Sequence, residues 1–222
     1  MKTTRNMLTI LAAAGLFAAS PAALADRPQV SKAPPFWTFA APPPAGKTKL
    51  LRTRYGLGAM FRTTGLTPGN VVTLWIMFFD NPEACAIPHA CNPTDIGTPG
   101  VRFDFHYAGG RIVRRNRTTV IGFLPVGELS TSGWAEMTDV NPFAAGWVTP
   151  LTNPDGAQVT LAIHDHGPAQ SGRTLYEQLT SYRGGCVLPF LGDFGGFAQS
   201  ASDLPANPGE CSTIQVAFHN PE

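Results

Sequence analysis

The sequence predicts an all-β fold: an antiparallel β-sandwich of immunoglobulin-like type, with a Pro-rich N-terminal leader and disulfide-stapled loops. Three observations predict it. Short apolar runs, several alternating with period two, recur between turn signals from residue 47 onward. The 222 residues include 21 prolines and 23 glycines, which punctuate those runs. Apolar residues at helical spacing are almost absent.

The N-terminus comes first. Lys2 and Arg5 precede an almost uncharged apolar run, 7–19, and Ala23-Leu24-Ala25 is a small-x-small site before Asp26. That order is the pattern of a bacterial secretory signal peptide, residues 1–25, cleaved after Ala25. The run is too short for a membrane span, which needs about 20 apolar residues. Residues 26–46 carry Pro34-Pro35 and Pro42-Pro43-Pro44 and read as extended leader, whose Phe36, Trp37 and Phe39 are expected to dock on the chain's own domain. A single domain is expected over 47–222.

Within that domain, residues 50–55 and 59–64 read as strands. Thr67-Pro68-Gly69-Asn70 is a turn, with Pro presetting one dihedral angle and Gly permitting a positive one. Residues 71–79 are apolar on both faces, as expected of a central strand covered from both sides. Residues 101–107 alternate, with Phe103, Phe105 and Tyr107 assigned inward and Arg102, Asp104 and His106 outward. Gly109-Gly110 reads as a hairpin turn returning at 111–113, followed by a strand at 118–124. Residues 127–154 are irregular, 157–164 is a strand, 175–182 fits a strand or a short helix, and 214–219 is the last strand.

The four cysteines are Cys85, Cys91, Cys186 and Cys211. In an exported chain an even number implies disulfides, and Cys85–Cys91 with Cys186–Cys211 is the favoured pairing, because each pair brackets a Pro-, Gly- and Asn-rich loop. Charged residues make up only 14% of the chain and the formal net charge is +1, which does not supply the basic field of a nucleic-acid binder.

Three places carry chemistry. His164 and His166 sit two apart, so in a strand they share a face about 6.5–7 Å apart and can hold one copper or zinc ion. A tight site needs a third ligand, and among His106, His89, His219 and Asp165 the best placed is His106. In the competing reading, Val159, Leu161 and Ile163 face the core and both histidines face solvent. The 80–100 loop offers Asp80, Glu83 and Asp95, either as oxygen ligands for calcium, a weaker case than copper or zinc, or as a recognition loop. Arg111, Arg114, Arg115 and Arg117 form a basic cluster that suits an acidic polysaccharide, lipid phosphates or a nucleic acid, or simply a charged edge strand.

The segments "RTRYGLGAMFRTTGLTPGNVVTLWIMFFDNPEAC", "DFHYAGGRIV", "LAIHDHGP", "EQLTSYRGGC" and "CSTIQVAFH" together resemble a group of bacterial secreted β-sandwich proteins. The resemblance implies a fold and no chemistry. The "GLTPG" turn is also similar to one in small extracellular domains of the CHRD type. The expected role is therefore a secreted or periplasmic binding or structural module, without nucleic acid or a membrane span. Its recognition surface would be the Cys85–Cys91 loop and the adjoining 101–113 hairpin. A copper or zinc protein is the alternative class. A hydrolase is third, because Ser130 and Ser132 lack a nearby histidine and no G-x-S-x-G elbow occurs.

Overall fold

The structure, a computed structural model, describes residues 28–37, 46–128, 149–182, 184–187 and 209–221. The signal-peptide and cleavage expectations, and Ser130 and Ser132, lie outside the described residues.

The chain is mostly β and forms two antiparallel sheets. The strands are β1 (Gln29–Ala33), β2 (Phe36–Trp37), β3 (Lys47–Thr53), β4 (Gly56–Thr64), β5 (Asn70–Phe79), β6 (Phe103–Ile112), β7 (Arg117–Pro125), β8 (Gln158–Pro168), β9 (Cys186–Val187), β10 (Gly209–Glu210) and β11 (Ser212–His219). The helix α1 (Gly172–Thr180) resolves the 175–182 ambiguity. The four-stranded sheet has the order β1-β3-β4-β7, and the five-stranded sheet β2-β11-β8-β5-β6; β9 and β10 form a separate parallel pair. No helix among the described residues is long and apolar enough to cross a membrane.

The two sheets bury one core between them. Leu50, Leu57, Ala59, Phe61, Val120 and Leu124 come from the four-stranded sheet, and Leu74, Ile76, Phe78, Val159, Leu161, Ile163 and Ala217 from the five-stranded one. In β3 and β4 the buried positions alternate with exposed or half-buried ones, so each strand has one core face. β5 and β8 differ, because nearly every residue in them is buried. Their second face supports a separate cluster of Trp75, Phe79, Phe103, Phe105, Ala162, Val216, Cys85, Cys91 and Cys211, with Tyr182 packed against it. That cluster lies under the disulfide loop and the segment around Tyr182. The Trp75 ring is 5.5 Å from Phe105 and 5.0 Å from Tyr182.

Polar side chains tie the sheets together at one end. His219 on β11 bonds Ser31 through Nδ1 and Thr48 through Nε2, each at 2.8 Å. The Thr48 hydroxyl donates to the Ala33 carbonyl, so it accepts from His219 Nε2–H. Arg52 is 1% exposed, and its guanidinium donates to the carbonyls of Pro154 (2.6 Å), Ala157 (2.8 Å) and His219 (3.0 Å).

The expected docking of Phe36 and Trp37 on the domain is a strand pairing: the 26–46 segment supplies edge strands to both sheets, β1 pairing with β3 and β2 with β11, while Phe39 lies outside the described residues. Two expectations are corrected. Gly109 and Gly110 are not a turn but lie inside β6. A Cβ at Gly110 would stand 2.2 Å from the Leu179 carbonyl oxygen, and one at Gly109 2.8 Å from that of Ile121. The glycines therefore let α1 and β7 approach the β6 backbone. There is also no 101–113 hairpin, since β6 belongs to the five-stranded sheet and the chain crosses to the other sheet before β7.

The close approach at Gly110 makes a prediction. Gly110→Ala should destabilise the fold by about 1–3 kcal/mol through overpacking against α1, read as a shift in urea midpoint. An unchanged midpoint would contradict the contact.

Candidate functional site: a buried histidine pair and an arginine groove

Both histidines of the "HDH" stretch lie on β8, beside Thr73 of β5 and Thr213 of β11. The reading that turned them to solvent is corrected: His164 is 1% exposed and His166 0%. Val159, Leu161 and Ile163 do face the inter-sheet core, but the cover over the opposite face buries the histidines too.

The two rings pack edge to face with centroids 4.9 Å apart, and His164 stacks on Tyr182 at 4.3 Å. A hydrogen-bond chain holds His166. Trp75 Nε1–H donates to Thr73 Oγ1 at 2.7 Å, Thr73 Oγ1 meets His166 Nε2 at 2.8 Å, and His166 Nδ1 meets the Gly184 carbonyl at 3.1 Å. His164 Nδ1 lies 3.3 Å from Thr213 Oγ1, while its Nε2 is buried with no hydrogen-bond partner. Burial holds His164 well below the usual histidine range, with the neighbouring His166 adding to the shift. Burial also lowers His166 to about 4, opposed by the Gly184 carbonyl. Both rings are thus neutral at ordinary pH, the form that binds metals.

His106 does not join them. Its register partner is Ile76, whose other neighbour is Leu161, which puts His106 on the opposite face from His164. There it is 4% exposed, its ring centroid 5.7 Å from that of Phe78 and its Nε2 3.4 Å from Asp104 Oδ2. The expectation that Asp104 and His106 face outward is corrected by the same registers, since this face of β6 meets the inter-sheet core. Burial raises the Asp104 carboxyl above its usual value, against the lowering effect of His106. His89 sits in the exposed 80–100 loop with φ 60°, His219 is the sheet clamp, and Asp165 accepts from Asn70 and from the Gly167 amide.

The third group near the pair is Cys211, which sequence reasoning placed in a disulfide and not in the site. Its Sγ lies 3.6 Å from His166 Nδ1, and ligand atoms of His164, His166 and Cys211 all fall within 4.8 Å of one another. Cys211 is disulfide-bonded. Its chain neighbours Gly209 and Glu210 pair with Cys186 and Val187, although the Cys186 side chain lies outside the described residues. The Cys85–Cys91 bond is present, with Cα atoms 5.4 Å apart.

Two of the three acidic loop residues bond to backbone amides. Asp80 is 1% exposed and accepts from the amides of Thr152 and Asn153, from the Thr152 hydroxyl and from Arg102. Asp95 accepts from the amides of Ala86 and Asn92 inside a capping box. Asp80 thus ties the start of the loop to the 152–153 segment, Asp95 folds the loop on itself, and only Glu83 of the three is exposed. Gln158 of β8 clamps the same loop through the Cys91 amide and carbonyl, at 2.9 and 2.8 Å.

The arginine cluster forms a groove. Arg111, Arg114, Arg115 and Arg117 line a cavity of about 420 Å³ together with Thr118, Thr119 and Arg62 of β4. Sequence reasoning missed Arg62, which reaches the group only because β4 pairs with β7 in the register Arg62↔Thr119. All five arginines are exposed. The 113–116 link that carries two of them is fixed at the backbone. Val113 N–H donates to Asn70 O, Gly69 N–H to Val113 O and Leu66 N–H to Asn116 O, and the Val113 side chain is buried. Among the described residues no carboxylate lines the groove and none of the five guanidiniums forms an ion pair.

No family model, curated protein or solved structure matches the chain, so no residue role is carried over from a relative.

The buried histidines make stability depend on pH. Burial, helped by the Arg52 charge, also lowers His219 to about 4. In the unfolded chain these rings protonate near 6.5, whereas the folded forms of His166 and His219 resist until about 4. Their contribution is therefore complete above about pH 6.5. It should fall as pH drops toward 4, by up to about 1.4 kcal/mol per pH unit for each ring. The raised carboxyls of Asp104 and Asp165 act with the opposite sign at the acid end of this window. Urea midpoints from pH 7.5 to 4.5 should decline, and His219→Gln should flatten the decline by nearly one proton. A profile that is flat in the wild type would contradict the burial account.

Proposed function

We propose that this chain is an exported, disulfide-stabilised binding module of the cell envelope or extracellular space, and that its ligand is an acidic polysaccharide held in the arginine groove. The observation that carries the reading is the convergence of five guanidiniums on one groove that, among the described residues, no carboxylate lines. The net charge is only +1, so this is a local field and not a general basicity. Guanidiniums present paired donors that match carboxylate, sulfate and phosphate oxygens, and Thr118 and Thr119 add hydroxyls beside them. Like charges held together on a pinned backbone repel, and a bound polyanion relieves that repulsion.

Export is supported by the charged, apolar and small-residue order at the N-terminus and by disulfides at Cys85–Cys91 and Cys211. The immunoglobulin-like assignment belongs to the same proposal. The changes of sheet between β4 and β5 and between β6 and β7 support it.

Calorimetric titration with polygalacturonate at low salt should show saturable binding that weakens as salt rises. Replacing Arg111, Arg114 and Arg115 together by Gln should weaken it at least 10-fold and flatten the salt dependence. Neutral dextran should not bind. No binding of polygalacturonate, affinity unchanged in the triple variant, or equal affinity for single-stranded DNA and anionic vesicles would overturn the reading.

A further inference from the structure

We infer that His164, His166 and Cys211 form a zinc site that the Cys211 disulfide keeps closed and that reduction opens. The inference is independent of the arginine groove.

The spacing carries it first. Zinc bonds of about 2.3 Å to sulfur and 2.0–2.1 Å to nitrogen, at a tetrahedral angle, put the two ligand atoms about 3.5 Å apart. The Cys211 Sγ to His166 Nδ1 distance is 3.6 Å, and the nearest ligand atoms of all three residues lie within 4.8 Å of one another. A second observation points to a ligand independently. His164 Nε2 is buried in this cluster with no hydrogen-bond partner, although buried ring nitrogens are ordinarily paired.

The surroundings supply an orienting partner of the kind ligand histidines have. With Nδ1 turned to the ion, His166 Nε2–H donates to Thr73 Oγ1, which Trp75 Nε1–H fixes from behind. The Gly184 carbonyl then loses its bond to Nδ1. Two neutral imidazoles and one thiolate form a donor set suited to Zn²⁺, with water in a fourth position.

The disulfide is the gate. A disulfide sulfur carries no charge, and the thiolate is the form that ligates metals. A protein dithiol, by thiol–disulfide exchange, transfers two electrons to the Cys211 disulfide and becomes a disulfide itself. Two protons complete two thiols. The Cys211 thiol then releases its proton as sulfur binds zinc. In the oxidised chain the three residues remain a packed core cluster under Tyr182.

The experiment uses Cys186→Ser, which removes the expected bridge to Cys211 and leaves Cys85–Cys91 oxidised without added reductant. Metal-free protein is titrated with Co²⁺ under anaerobic conditions. One Co²⁺ per chain should bind with a thiolate-to-cobalt charge-transfer band, and Zn²⁺ should displace it. The oxidised wild type should bind at least 100-fold more weakly and show no such band. Adding His164→Ala to Cys186→Ser should weaken binding at least 100-fold. Absence of the band, or affinity unchanged by His164→Ala, overturns the inference. If Cys186→Ser does not fold, wild type reduced with a phosphine and titrated with Zn²⁺ gives the same comparison. Zinc held by unfolded thiols would be insensitive to His164→Ala, and that result also overturns it.

Discussion

The structure depends on burying the five-stranded sheet from both sides. β5 and β8 lie inside that sheet and carry almost no solvent-exposed residue. One face meets the four-stranded sheet, as in any pair of packed sheets. The other carries Trp75, Phe79, Phe103 and Phe105, an area too apolar to leave in water. The chain covers it with the Cys85–Cys91 loop and with the segment ending at Tyr182. Asp95 and Gln158 direct their polar atoms at loop backbone, including the buried Cys91 amide and carbonyl, and Asp80 ties the start of the loop to the amides of Thr152 and Asn153.

That cover decides what the chemistry-bearing residues can do. Without it His164 and His166 would be surface residues near the end of a strand. With it they become neutral core rings beside a disulfide sulfur. The arginines have the reverse situation. They cluster where the chain leaves one sheet for the other, and the only buried side chain of the 113–116 link is Val113. The fold thus separates a dry, neutral cluster from a wet, cationic groove.

Much of the architecture was legible in the sequence, because alternation, turn residues and cysteine spacing are local signals. The 71–79 run stood out as buried on both faces, and Cys85–Cys91 followed from a loop of six residues' separation. What failed was whatever depends on a distant segment. Alternation on β8 correctly put Leu161 and Ile163 toward the core, but it cannot register a cover supplied by other loops, so the histidines were placed outside. Gly109-Gly110 resembles a turn in one dimension, whereas its cause is the approach of Leu179 and Ile121. Arg62 and Cys211 are far from the residues they join, and only the registers of β4 with β7 and β11 with β8 bring them together.

Native-state hydrogen exchange tests the two-sided burial most directly. The amides of β5 and β8 should be the slowest in the chain, exchanging only through global unfolding, while the paired amides of the edge strand β7 exchange through smaller openings. Exchange of β5 and β8 as fast as that of β7 would mean that the outer cover is not closed, and would contradict the account on which both the buried histidines and the fold depend.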